Sequence, residues 1–182
     1  MHKKEILFIH GGGIGGYEAD AKLVASLRKA LGTTYLVYNP KMPSDETSPD
    51  FGWLKQIDKE ISSVQGGVIL AGHSLGASML LKYLSENKIK KIISGIFLIS
   101  TPFWSGDEDW VRGLKLKEDF ARKLPNDVPV FLYHCRDDVE APLDHLKYYE
   151  QKLPWAAVRE IASGGHQLNN DLSLVAKDIK LL

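Results

Sequence analysis

The sequence predicts a three-layer α/β sandwich: an open, mostly parallel sheet of six strands with helices on both faces. Three observations predict it. Short apolar runs alternate with amphipathic segments along all 182 residues. Several runs lack the period-two alternation of a half-wet strand, as expected when helices cover both faces of a parallel sheet. No repeat, low-complexity tract or linker interrupts the rhythm.

In order, the first strand is EILFIH (5–10), followed by a helix over about 18–31. TYLVYN (34–39) is the second strand, with a helix over 51–64. GVILAGH (67–73) is the third, with a helix over 75–87, and SGIFLIS (94–100) is the fourth. PVFLYHC (129–135) is the fifth, with a helix over 142–152. AVREIAS (157–163) is the sixth, with a helix over 168–181. Right-handed crossovers join such units. One interval breaks the pattern. Residues 101–126 form a connection longer than usual, of the kind that often serves as a lid or binding loop. In it Phe103, Trp104, Trp110, Val111 and Leu114 are expected to present an apolar wall. The whole, 1–182, is read as one domain with a short cap-like insertion.

Bulk properties exclude some functions. Basic and acidic side chains number 23 each, which argues against broad electrostatic binding to nucleic acid or to an anionic membrane. No stretch approaches the length of a membrane span, and the apolar run Ile6 to Ile9 is too short for a signal peptide. The single cysteine, Cys135, cannot form an internal disulfide, so a reducing, cytoplasmic setting is expected. In an apolar strand it reads as core rather than nucleophile.

The chemistry is written in Gly72-His73-Ser74-Leu75-Gly76, a G-x-S-x-G placed after a strand and before a helix. That context makes a nucleophile elbow, a turn so sharp that the residues two either side of the serine must be small. A serine hydroxyl needs a base, and the base needs an orienting acid. With this elbow the partners follow in the order serine, acid, histidine. HCRDDVEAP follows the fifth strand and SGGHQLNND the sixth, both at the strand ends where open α/β sheets carry their sites. His166, preceded by two glycines, is the candidate base. His73 inside the elbow is expected to point away from Ser74 and to pack, and His2, His134 and His145 rank below His166. For the acid, the frame D-x-x-x-P from Asp138 to Pro142 favours Asp138. The adjacent Asp137 stays open as the alternative, and Asp107 is a distant third.

FIHGGGIGGYE (8–18) also fits the dinucleotide spacing G-x-G-x-x-G. The second strand, however, ends at Asn39 and Pro40, without the carboxylate a ribose would need. In the acyl-transfer reading this loop lends one backbone N–H to an oxyanion and the residue after the nucleophile lends another. Gly12 and Leu75 are those expected donors. No cofactor and no metal are implied.

Together, His10-Gly11-Gly12-Gly13, the Ser74 elbow, Asp138 and His166 resemble the α/β-hydrolase superfamily across essentially the whole chain. The short length is similar to its minimal members, and the loop DDVEAP most resembles the small serine hydrolases grouped with retinoblastoma-binding protein nine, where the second Asp is the acid. The resemblance implies the strand order 2-1-3-4-5-6 and a two-step acyl transfer from a small-molecule acyl substrate. No L-x-C-x-E sequence occurs, so a retinoblastoma contact is not carried over. A carboxylesterase for small or medium acyl esters is the favoured activity. Thioesterase, amidase and peptidase use the same triad, and a non-catalytic protein-binding scaffold is the rival from another class.

Overall fold

The computed structural model describes residues 3–182. Strands β1 (Lys4–Ile9), β2 (Tyr35–Tyr38), β3 (Val68–His73), β4 (Ile93–Ile99), β5 (Val130–Cys135) and β6 (Ala157–Ile161) form one sheet. Its order is β2-β1-β3-β4-β5-β6, and every neighbouring pair is parallel. The chain winds outward from β1 to β2, then returns past β1 to β3. Connections therefore diverge between β1 and β3, and a crevice opens at the carboxyl ends of those strands.

Successive side chains on a strand point to opposite faces, and here both faces are apolar. Ile6 and Phe8 pack with Leu23, Val24 and Leu27 of α2 (Ala21–Leu31) and with Val175 and Ile179 of α7 (Ser173–Ile179). Leu7 and Ile9 pack on the other side. There they join Trp53 and Ile57 of α3 (Trp53–Ser63), Leu80 and Leu84 of α4 (Leu75–Glu86), and Tyr149 of α6 (Leu143–Lys152). Two layers of helix thus enclose the sheet, which explains why the central strands read as continuous apolar runs.

The structure corrects the predicted helices at two places. The segment 18–31 is two helices, α1 (Gly16–Ala19) and α2, joined at Asp20. The Asp20 carboxylate turns inward to accept the Gly11 N–H at 2.8 Å, which ties the joint to the loop after β1. The segment 168–181 is not one helix either. Leu168, Asn169 and Asn170 take φ of 48°, 51° and 55°, a left-handed turn that a right-handed helix cannot continue through. Helix α7 begins only at Ser173.

The long connection 101–126 carries a 3₁₀ turn (Asp109–Val111) and the short α5 (Phe120–Lys123). Val111, Leu114, Leu116, Phe120 and Leu124 are buried in the core beneath α3 and α4, so the segment is anchored by its own apolar residues. Among the described residues no helix is long and apolar enough to cross a membrane.

Candidate active site

The site is built from the turn between β3 and α4. A Cβ on Gly72 would stand 2.8 Å from the Ala77 backbone nitrogen, and one on Gly76 would land on the carbonyl oxygens of Ile9 and His10. Only glycine lets the strand, the turn and the helix approach so closely. Between them Ser74 adopts φ 52° and ψ −125°, a region that costs a non-glycine residue about 1–3 kcal/mol. Its N–H donates to the Ile99 carbonyl at 2.8 Å, so the strained turn is pinned to the end of β4. Ser74 lines a cavity of about 640 Å³ at the carboxyl edge of the sheet.

Asp138 and His166 come together from the loops after β5 and β6. The His166 Nδ1 lies 2.9 and 3.1 Å from the two Asp138 carboxylate oxygens. Asp138 also accepts the backbone N–H groups of Glu140 and Ala141, at 3.0 and 2.9 Å. Its side chain is fully buried, so these donors satisfy a carboxylate that water does not reach. Asp137 points elsewhere. It accepts the N–H groups of Gly164 and Gly165, and these bonds hold its carboxyl below the usual range. The two neighbouring aspartates thus divide the work: one faces the imidazole, the other fastens the loop that carries it.

The His166 loop is fastened to the elbow through its backbone. The His166 carbonyl accepts from His73 Nε2 at 2.9 Å and from Ser100 Oγ at 3.0 Å. The rings of His73 and His166 lie 4.9 Å apart. The Ser74 hydroxyl is not itself hydrogen-bonded to His166; the carboxylate facing His166 Nε2 is that of exposed Glu140, at 3.8 Å. Serine and imidazole therefore stand on adjoining loops with their direct contact unmade.

The glycine loop after β1 forms the opposite wall. The His10 Nδ1–H donates to the Gly11 carbonyl at 2.6 Å, and its Nε2 accepts the Met42 N–H at 2.9 Å. One ring nitrogen donates and the other accepts, so His10 is neutral, in keeping with burial that lowers its pKa. Gly12 presses against Leu75 so closely that a Cβ would enter the leucine side chain. The N–H groups of Gly12 and Leu75 have no hydrogen-bond partner among the described residues. Two free donors on adjoining loops beside Ser74 can receive a developing oxyanion.

The cavity walls correct part of the predicted apolar surface. Trp104, Trp110 and Leu114 face it, with Met42, Phe51 and Trp53 opposite. Phe103 instead packs on Tyr148, with ring centroids 4.1 Å apart, and Val111 is buried in the core. Trp104 is locked by its Nε1–H, which donates to Ser78 Oγ at 3.0 Å. Cys135 is buried in β5, and burial pushes its thiol up to about 11, as suits a core residue. Asp107 is exposed in the long connection, with its N–H bonded to Ser105. His2 lies outside the described residues. Sequence reasoning missed Asp20 and Ser100, and it treated His73 as packing only. No local motif marks them, because their partners are distant in the chain.

These features can be set beside known proteins. A family model described as "Alpha/beta hydrolase family" matches residues 6–177. A sequence search of curated proteins finds no match. Among solved structures, Est1E from Butyrivibrio proteoclasticus is similar at a TM-score of 0.75 and 16% identity, covering 100% of this chain and 88% of its own. The ydeN gene product from B. subtilis is similar at a TM-score of 0.71 and 20% identity, covering 98% of each chain. The thioesterase domain from the curacin biosynthetic pathway is similar at 0.69 and 16% identity, covering 99% of this chain and 92% of its own. At such identities the neighbours speak for the fold, whereas the family model spans nearly the whole sequence. The chain belongs to the alpha/beta hydrolase family.

Proposed function

We propose that the protein is a serine hydrolase that works through an acyl-enzyme, with Ser74 as nucleophile, His166 as base and Asp138 as the acid that orients it. One observation carries the reading: the strained Ser74 lines an apolar cavity beside two N–H donors, those of Gly12 and Leu75, that have no partner among the described residues. In this scheme Ser74 Oγ attacks a carbonyl carbon and His166 Nε2 takes its proton. Asp138 keeps the other imidazole proton on Nδ1 and stabilises the imidazolium. The Gly12 and Leu75 N–H groups bind the tetrahedral oxygen, and His166 returns its proton to the leaving group. Water then attacks the acyl carbonyl by the same proton path in reverse.

A carboxylesterase acting on small or medium acyl esters fits best. The cavity has walls of Trp104, Trp110 and Phe51, with the Lys41–Glu18 pair near its edge. Among the structural neighbours are Est1E, also recorded as "Ferulic Acid bound to Est1E", and a thioesterase domain. Thioesters are thus the nearest alternative leaving group. The DDVEAP loop keeps the likeness to the retinoblastoma-binding-protein-nine group as the proposed subfamily, and the single cysteine, Cys135, supports a cytoplasmic site as the proposed location. A small-molecule acyl substrate is the proposed partner, with no nucleic acid and no membrane. The non-catalytic scaffold remains the second reading, and it draws on the unmade contact between Ser74 and His166.

The test is intact mass after treatment with a fluorophosphonate, for the parent, Ser74→Ala and His166→Ala. One adduct on the parent, absent from both variants, supports the hydrolase. A folded parent without an adduct supports the scaffold.

A further inference from the structure

Beside the proposed triad lies a second carboxylate–imidazole pair, and it is more deeply buried. Asp20 and His73 each expose about 1% of their side chains. Asp20 Oδ2 accepts the Gly11 N–H at 2.8 Å and faces His73 Nδ1 at 2.9 Å. Asp20 Oδ1 accepts the Gln167 amide at 3.1 Å. On the far side of the ring, His73 Nε2 meets the His166 carbonyl at 2.9 Å.

Counting donors decides the protonation of this group. A peptide carbonyl only accepts, so Nε2 must carry a proton. The Asp20 oxygen beside Nδ1 already accepts from a backbone N–H, and its twin accepts from an amide, the pattern of an ionised carboxylate. Nδ1 must therefore carry a proton as well. A neutral imidazole has one N–H and satisfies only one of these two contacts. Burial works against ionisation of Asp20, yet the hydrogen bond and charge of His73, with the Gly11 N–H, hold its carboxyl below the usual range. The titratable groups facing His73 are Asp20 and the neighbouring ring of His166.

We infer that Asp20 and His73 form a buried carboxylate–imidazolium pair that positions both halves of the proposed active site at once. Through Gly11 the pair holds the oxyanion loop, and through the His166 carbonyl it holds the backbone of the base. His73 precedes the nucleophile in the chain, so the same ring is rigidly tied to the elbow. Three loops, after β1, β3 and β6, thereby share one hub. Neither residue touches the reacting atoms; both are positioning residues. The inference rests on the serine hydrolase reading for its catalytic consequence, but the charge state does not depend on it.

The experiment has two parts. In ¹⁵N-labelled parent protein, with the His73→Gln spectrum to assign the signals, both His73 ring nitrogens are expected to carry a proton at neutral pH, as their two hydrogen-bond partners require. One non-protonated nitrogen at neutral pH overturns the pair. In the second part, Asp20→Asn keeps shape and removes charge, and its amide can donate to the buried, unpartnered Gln167 Oε1 once that side chain turns. The expected result is a kcat lower by about 10- to 100-fold, the range for groups that orient a functional histidine. KM is expected to stay unchanged and fluorophosphonate labelling to slow in proportion to kcat. A folded variant that labels at the parental rate overturns the positioning role. A folded parent that never labels overturns the hydrolase reading and the positioning role with it, while the nitrogen signals still decide the charge pair.

Discussion

Replacing Ser74 by glycine should leave a more stable protein than replacing it by alanine, the reverse of the usual order. In most positions glycine is the worse residue by about 0.5–1 kcal/mol, because the unfolded chain gains freedom. Ser74, however, sits at φ 52° and ψ −125°, where a Cβ costs about 1–3 kcal/mol. Alanine keeps that cost. It also loses little else, since the Ser74 hydroxyl makes no hydrogen bond to His166. Glycine removes the strain and pays the entropy, leaving a net gain of about 1 kcal/mol over alanine. For a chain of 182 residues that corresponds to about 2–4 °C in Tm. Both variants should be inactive toward nitrophenyl esters, so stability is read without a change in turnover. Differential scanning calorimetry of the two proteins at one pH decides the matter. A glycine variant that melts at or below the alanine variant would refute the claim that the elbow stores strain at this residue.

Other expectations follow from the same geometry. Asp138→Asn should lower kcat by about 10⁴-fold, because the asparagine no longer selects the Nδ1–H tautomer. Asp137→Asn, which touches only Gly164 and Gly165, should cost no more than about 10-fold; parallel ester kinetics on the two variants compare them. Gly76→Ala should destabilise by more than about 3 kcal/mol, since its methyl would meet backbone oxygens of Ile9 and His10 rather than a mobile side chain. A urea midpoint that stays near the parental value would contradict this. Burial lowers the pKa of His10 and of His145 below the ordinary 6.5. In the window below 6.5 the unfolded chain binds more protons at these sites, so stability rises with pH there and falls as the pH drops through it. His145 accepts the Phe103 N–H at 3.1 Å, a bond that glutamine can replace. His145→Gln should therefore flatten the difference between urea midpoints measured at about pH 5 and about pH 7.

The sequence by itself determined the sheet, the order of its elements and the candidate chemistry. Apolar runs such as Ile6 to Ile9 report burial on both faces directly, because adjacent residues on a strand serve opposite layers. The elbow was legible for a similar reason: a turn that tight tolerates only glycine at 72 and 76, so its geometry is written in neighbouring letters. What the tertiary structure decided involves partners far apart in the chain. The break at Asp20 left no mark in the helical pattern of 18–31, and the partners of its side chain, the Gly11 N–H and His73, lie 9 and 53 positions away. The left-handed turn at Leu168, Asn169 and Asn170 ended a segment whose periodicity alone reads as helix. Which of two adjacent aspartates faces His166 was also a matter of direction. Consecutive residues at a strand end point to different sides, and only the folded loops show that Asp138 turns to the imidazole while Asp137 turns to Gly164 and Gly165. Local sterics can be read from adjacent residues, whereas hydrogen bonds across the sheet exist only once the strands that carry them have been brought together.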